Sequence, residues 1–580
     1  VTGHFTPAGN ETEGPVAPQD PAVKRRGLSI LYETIIEATI RPNGKYTQEI
    51  YLDGSQLIDK ARFTGGVTDE AILELLKSSS GLRRLVDCIG ISVHAHERDV
   101  SSARFTFWNW GKANPYETGS RQSITCPVDG TETLLVLDDD EGRYSDDDVP
   151  GKFVFEFERG GVLATASIVF YLRDSYQVPE VASDPPVDVE SQAYQDMIKK
   201  SLISPGHNKR LKAAIEKAKR GEPVTIAYIG GSITQGAGAV PLHSQCYAYL
   251  SYELFKRRFA PAADSPIRLV KAGVGGTPSE LGIVRYDRDV LREGEARPDI
   301  VIIEFAVNDA GDETKGNCYE SLVLKALRAD HKPAVILLFS VFVNDWNLQD
   351  RLAPVGWHYH LPMVSVKDAV TEQFRWTKEQ GNVITKRQFF YDIYHPTNAG
   401  HRVMADCLDW LFEVTDRSSI DEEDLTDVQS PLIGNDFALT KLLDRRNGDR
   451  FARIDPGGFS DTDTDLQMAE LDDHAYGTPQ FPHNWMHTAD SGEHSFKMTI
   501  RSKRLILVYK DSGSRDFGTA KIWVDGKLMK IADPHDVNWT HCSAVILYNE
   551  SKSEEHVVEI EMAEGHEDKR FTILGFGYVP

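Results

Sequence analysis

The chain is short of three things. Cysteine is scarce: six in 580 residues, at Cys88, Cys126, Cys246, Cys318, Cys407 and Cys542, with no CxxC pair. That spacing excludes zinc ribbons, thioredoxin-like chemistry and a disulfide scaffold, and leaves the compartment open. Long apolar runs are missing; none approaches the about 18–20 residues that cross a bilayer. Basic charge is outweighed, with 64 Lys and Arg against 88 Asp and Glu and a net charge of −24. Nucleic acid and anionic membrane surfaces are held by basic side chains, so neither is expected as a partner. Neutral substrates remain open. No secretory leader is recognisable, and the chain begins with Val1. Its polar stretch 1–26 reads as a linker or a cut end, in a processed protein or a piece of a longer one.

What is present is ordinary globular material, 41% hydrophobic and 26% charged. The length suggests about three or four domains, and the pattern changes character twice. Residues 27–175 read as a β-rich module. Phe153, Phe155 and Phe157 alternate with Val154 and Glu156, and Gly160-Gly161 leads into the apolar run Val162–Leu172, which predicts a β-hairpin. Ala103–Trp110 is another expected strand, and Asp69–Leu76 an expected helix. A Pro-rich acidic linker follows at Ser175–Val189. Residues 190–415 alternate short apolar strands (Val224–Ile229, Ile267–Val270, Asp299–Phe305, Ala334–Phe339, Met363–Val366) with helices, the signature of a parallel sheet covered on both faces. After a second acidic linker, Asp416–Gln429, residues 430–580 return to strands, with Asp525-Gly526 as a hairpin turn. There is no internal repeat.

Four segments carry chemistry. The first expected parallel strand runs into Ile229-Gly230-Gly231-Ser232-Ile233-Thr234; the second into Ala272-Gly273-Val274-Gly275-Gly276-Thr277; the third into Ala306-Val307-Asn308-Asp309. Asp392-Ile393-Tyr394-His395-Pro396 precedes the last helix of this region. Open α/β sheets bind ligands at the carboxyl ends of their strands. The first segment is neither a P-loop nor a GxSxG elbow. A serine hydroxyl needs a base to become a nucleophile. A histidine titrating near neutrality suits that role, and an aspartate three residues away can hold its tautomer.

The four segments resemble the blocks of the SGNH (GDSL-like) hydrolases over about residues 202–412. IAYIGGSIT, CYAYLSYE, KAGVGGTPS, EFAVND and DIYHPTNAGH are similar to a bacterial carbohydrate-esterase branch of acetyl xylan and mannan esterases. The resemblance implies a flavodoxin-like α/β/α domain, here flanked by two β-sandwich- or jelly-roll-like modules. It implies Ser232 as nucleophile, Asp392 and His395 as the rest of a triad, and Ser232, Gly275 and Asn308 as the oxyanion hole, with Gly273 or Gly276 as alternatives to Gly275. Two positions depart from the family pattern. Gly231 stands where the family has the Asp of GDS, and Ala306 where it has the Gly of GxND.

The function so implied is removal of O-acetyl groups from plant cell-wall polysaccharide, xylan or mannan, by a secreted serine esterase needing no metal or cofactor. Its partner would be an acetylated poly- or oligosaccharide. Two other readings stay open: a lipase or thioesterase acting on short acyl esters, and a glycan-binding scaffold with an inactive hydrolase domain. Trp346, after the fourth strand, is a candidate sugar-stacking residue, or a loop tryptophan packed on the domain. Trp108 with Trp110, and Trp485 and Trp539, pose the same choice. Asp138–Glu141 with Asp146–Asp148, and Asp461, Asp463 and Asp465, are candidate structural calcium ligands or plain acidic loops.

Overall fold

The computed structural model describes residues 27–138, 140–173, 184–425, 430–472 and 477–580. The expected terminal linker 1–26, Asp139, most of the first inter-module linker (174–183) and 426–429 of the second lie outside the described residues. The chain forms two compact units. One is made of the residues up to Val187 together with Lys386–Thr397; the other of Asp188–Thr385 and Asn398–Pro580.

In the first unit, two antiparallel sheets share one core. Gly27–Glu37, Leu163–Leu172, Val86–Ala95 and Thr133–Val136 form one, in that spatial order; Thr39–Ile40, Tyr46–Tyr51, Asp147–Phe157, Ser102–Gly111 and Arg121–Pro127 form the other. Strand alternation points Phe105, Phe107, Phe153 and Phe155 inward against Ile168 and Phe170. Phe153 meets Phe170 edge-on at 6.2 Å. The expected hairpin is therefore corrected. Asp147–Phe157 pairs with Tyr46–Tyr51 and Ser102–Gly111, whereas Leu163–Leu172 pairs with Gly27–Glu37 and Val86–Ala95. The Gly160-Gly161 turn carries the chain between sheets, so the two apolar faces meet as opposite walls of the core instead of sharing one wall. The helix expected at Asp69–Leu76 is present as Glu70–Leu75, with the Asp69 carboxylate accepting from Ala71 N at 2.9 Å.

The second unit holds the α/β domain. Five parallel strands, Val224–Gly230, Ile267–Gly273, Ile300–Glu304, Ala334–Phe339 and Met363–Ser365, lie in the order 2-1-3-4-5. The short antiparallel strand Leu202–Ser204 lies beyond the fifth. This is the flavodoxin-like order, and its switch point falls between the first and third strands. Register places Gly230 level with both Gly273 and Glu304, so the first three sequence segments leave the sheet at one edge.

The C-terminal part of this unit is an eight-stranded antiparallel sheet built around two long strands, Phe496–Asp511 and His541–Met562. Leu505, Leu507 and Tyr509 face its own core, while Ile506 and Val508, alternating with them, enter the core of the α/β domain beside Val284 and Tyr286. Asp525-Gly526 is the expected hairpin turn; both residues take positive φ, 50° and 78°, as a type I′ turn requires.

Candidate active site

At the switch point the backbone packing is tight enough to dictate residue type. Ser232 opens the four-residue helix Ser232–Gln235 immediately after the first strand. A Cβ on Gly231 would stand 2.3 Å from Asn308 Oδ1, so the Asn308 carboxamide lies directly over the peptide preceding the serine. There is no room for a side chain at 231, which accounts for the missing Asp of the GDS pattern. A Cβ on Gly275 would stand 3.7 Å from Ser232 Cβ. Ser232, Gly275 and Asn308, 76 residues apart from first to last in the sequence, thus converge at one edge of the sheet.

The turn after the second strand is held from both sides. The Gly275 N–H donates to Gln235 Oε1 at 2.8 Å, and Gln235 Nε2 in turn donates to Glu470. The expected donor is therefore engaged within the protein. The next residue, Gly276 (φ 66°), presents an N–H with no hydrogen-bond partner among the described residues, which moves the candidate donor to an alternative that the glycine run had left open. Both carbonyls of this turn are taken by the C-terminal sheet region. Gln467 Nε2 donates to Gly275 O at 2.7 Å and His541 Nε2 to Gly276 O at 2.7 Å. Gln467 Oε1 accepts from Cys542 N, and His541 Nδ1 meets Asp511 Oδ2 at 2.8 Å, so both side chains are fixed at their far ends. Trp539 lies against Gly276, its ring 2.8 Å from where a Cβ would be, and is 42% exposed. Only glycine at 276 permits that approach.

Beneath the site lie charges that sequence pattern alone did not mark as functional. The fully buried Arg285 guanidinium donates to Gly230 O at 2.9 Å and Ala272 O at 2.7 Å, and pairs with Asp289. It ties together the ends of the two strands that carry Ser232 and the glycine turn. Asp309, beside Asn308, accepts from Ser279 N and Oγ at 2.8 and 2.7 Å. Burial pushes the carboxyls of Glu304, Asp309 and Glu280 up, to about 7, about 8 and about 9. The Asn308 Oδ1 is buried with no hydrogen-bond partner among the described residues, a cost that a purely structural asparagine would not carry.

Asp392 and His395 belong to the other unit. Their turn is closed by a bridge between Phe390 and Pro396 and by Tyr391 N donating to His395 O at 2.8 Å. Asp392 Oδ1 accepts from the backbone N–H of Tyr394 and of His395, both at 2.8 Å. Its Oδ2 meets His395 Nδ1 at 2.8 Å. Burial by itself would raise this carboxyl; His395, the Lys60 charge and the Tyr394 N–H outweigh it and hold Asp392 at about 2. An ionised carboxylate on Nδ1 fixes the tautomer in which Nε2 is the basic nitrogen.

The remaining candidates divide. Trp346 is half-buried and stacked on Phe342 at 5.7 Å. Trp108 is capped by the Arg121 guanidinium at 3.7 Å and the Lys152 ammonium at 4.5 Å, and Trp110 is buried against Trp108 and Tyr116. Trp485 is a core residue. In the acidic clusters, Asp147 is spent on Arg83, and Asp463 on Lys510 and Thr572. No group of three His, Cys, Asp or Glu suited to a metal ion occurs among the described residues. The six cysteines are all buried. No described helix is long and apolar enough to cross a membrane.

Residues 228–403 match the model of the GDSL-like lipase/acylhydrolase family. No curated protein matches the chain. Among solved structures, the chain is similar to a two-domain esterase (CEX) active on acetylated mannans, with 27% identity, 66% of this chain and 99% of that one covered, and a TM-score of 0.55. It is equally similar to that esterase co-crystallized with mannopentaose, with 27% identity, 66% and 98% covered, and a TM-score of 0.54. The α/β part is thus a GDSL-like acylhydrolase domain, and the chain is a serine esterase.

Proposed function

We propose that the protein is a secreted carbohydrate esterase that removes O-acetyl groups from a plant cell-wall polysaccharide, mannan or xylan. The observation that carries this reading is the likeness to nearly the whole of a two-domain esterase active on acetylated mannans. In the proposed cycle Ser232 Oγ attacks the acetyl carbonyl as His395 Nε2 takes its proton. The oxyanion is met by the N–H of Ser232, the Asn308 carboxamide and the N–H of Gly276, with Gly275 entering only if Gln235 releases it. Each such donor is worth about 2.7–4 kcal/mol of barrier. Collapse returns the proton to the departing sugar hydroxyl. Water then attacks the acetyl-enzyme, again deprotonated by His395, and acetate leaves. No metal enters these steps. Trp346 is retained as a proposed sugar contact, together with a glycan-positioning role for at least one β-rich module.

The test is acetate release from acetylated mannan, acetylated xylan and an aryl acetate. Ser232→Ala is expected to lose at least about 10³-fold on every substrate while its circular dichroism spectrum is unchanged. A steep fall in rate from acetyl to octanoyl esters separates this reading from a lipase or thioesterase. Full activity in Ser232→Ala would overturn it.

A further inference from the structure

The turn that carries Asp392 and His395 is docked on the N-terminal β-rich module within one compact unit. The Arg387 guanidinium donates to Asp184 Oδ2 from Nε at 3.1 Å and from Nη2 at 2.8 Å. It also lies over the Tyr32 ring at 4.5 Å, on the strand Gly27–Glu37. Gln388 Nε2 donates to Pro185 O at 2.6 Å. A fourth contact comes from the helix Gln56–Phe63, whose Lys60 sets its ammonium 4.9 Å from the centre of the Tyr391 ring, one residue before Asp392.

Lys60 is 2% exposed, and its ammonium lies over the Tyr391 ring. An ammonium in that condition is costly, and an apolar side chain of similar length would fill the same space without the cost. Burial pulls the Lys60 pKa down, and the charges of Asp392 and then Asp59 act against that pull.

Resting on the esterase reading above, we infer that the N-terminal module, with the linker residues Asp184 and Pro185 that belong to its unit, is a positioning element of the catalytic machinery, docking the Asp392–His395 turn through Arg387 and Gln388 and placing the buried Lys60 charge against Tyr391, next to that carboxylate. Lys60 touches neither substrate nor the reacting atoms; it acts through Asp392. The cation adds to the pull of His395 that keeps that carboxylate ionised, and the docked turn keeps it aimed at His395 Nδ1. The low pKa of Asp392, with Lys60 among its causes, is in keeping with this role. Misaim of a catalytic group by about 1 Å costs on the order of 10²-fold in rate.

Lys60→Met, Lys60→Arg and Asp184→Asn, in the full chain, are compared with wild type and Ser232→Ala on an aryl acetate, with the unfolding temperature of each. Lys60→Met is expected to lose about tenfold in kcat with KM held within about twofold, and without a lower unfolding temperature. Lys60→Arg restores at least about half of the lost kcat, and Asp184→Asn lowers kcat by about threefold or more. A Lys60→Met kcat within about twofold of wild type overturns the inference. So does a loss that follows the unfolding temperature and is not restored by arginine. Should Lys60→Met not fold, an unchanged kcat in Asp184→Asn overturns it. Activity surviving in Ser232→Ala strikes instead at the esterase reading itself.

Discussion

The two β-rich modules read alike in sequence and behave differently in the fold. The C-terminal sheet has given up its independence. Alternate residues of its longest strands enter the α/β core, and its Gln467 and His541 hold both carbonyls of the glycine turn beside Ser232. The N-terminal module keeps a core of its own, yet the twelve-residue stretch Lys386–Thr397, with the candidate base and its carboxylate, belongs with it. One module steadies the groups that would meet the oxyanion; the other steadies the group that would move the proton.

The proton-moving half breaks most visibly. Asp392→Asn keeps the shape of the turn but reverses the demand on His395 Nδ1, so the ring is steered to the wrong tautomer. The expected loss is about 10⁴-fold in kcat, read by steady-state hydrolysis of an aryl acetate. A loss below about tenfold would mean that the carboxylate is dispensable and that the N-terminal unit contributes no part of the proton chemistry.

The oxyanion half should give more gently, because it is held by several bonds. Gln467→Leu removes the donor to Gly275 O and the acceptor for Cys542 N, leaving His541 on Gly276. A fall of about ten- to a hundredfold in kcat with KM little changed is expected, since the turn is misaimed and not lost. Equal damage to KM would place Gln467 in sugar binding and weaken the contrast between the modules.

How far these roles were legible in the sequence follows from how far apart their parts lie. Ser232, Asn308 and the glycine run sit just beyond apolar strands, so a parallel sheet read from periodicity already puts them at one edge. Asp392 and His395 are three residues apart and carry their own geometry. Arg285, Gln467, His541 and Lys60 act across the chain, and Gln235 acts 40 residues away on Gly275; no local pattern names such partners. Two of them did leave a trace. Lys60 stands with Leu57 and Ala61 on the buried face of its helix, and Arg285 interrupts the apolar run Leu281–Tyr286, all of it buried. A charge on an apolar face is the signal for a long-range role. The hairpin expected at Gly160-Gly161 failed for a related reason: alternation shows which residues face inward and is silent on which sheet a strand joins.

The smallest effect concerns stability. Glu304, Asp309 and Glu280, all in the hydrolase unit, have carboxyls raised to about 7, about 8 and about 9 by burial. In the unfolded chain such groups titrate near about 4. The folded state therefore binds their protons more tightly, so their contribution is complete below about pH 4 and is lost as pH rises through about 7 to 9. Asp392, in the other unit, runs the opposite way: held at about 2, it contributes above about pH 4 and loses that contribution as pH falls through about 2. Raising pH from about 6 to 9 should lower the unfolding temperature by several degrees, roughly. Hydrogen exchange should locate the softening in residues 188–385 and 398–580. Glu304→Gln, neutral at every pH, should flatten part of that slope and leave the exchange of residues 386–397 unchanged. Softening of residues 386–397 to the same degree would show that the two units share one electrostatic environment, and the division of labour between the modules would lose its physical footing.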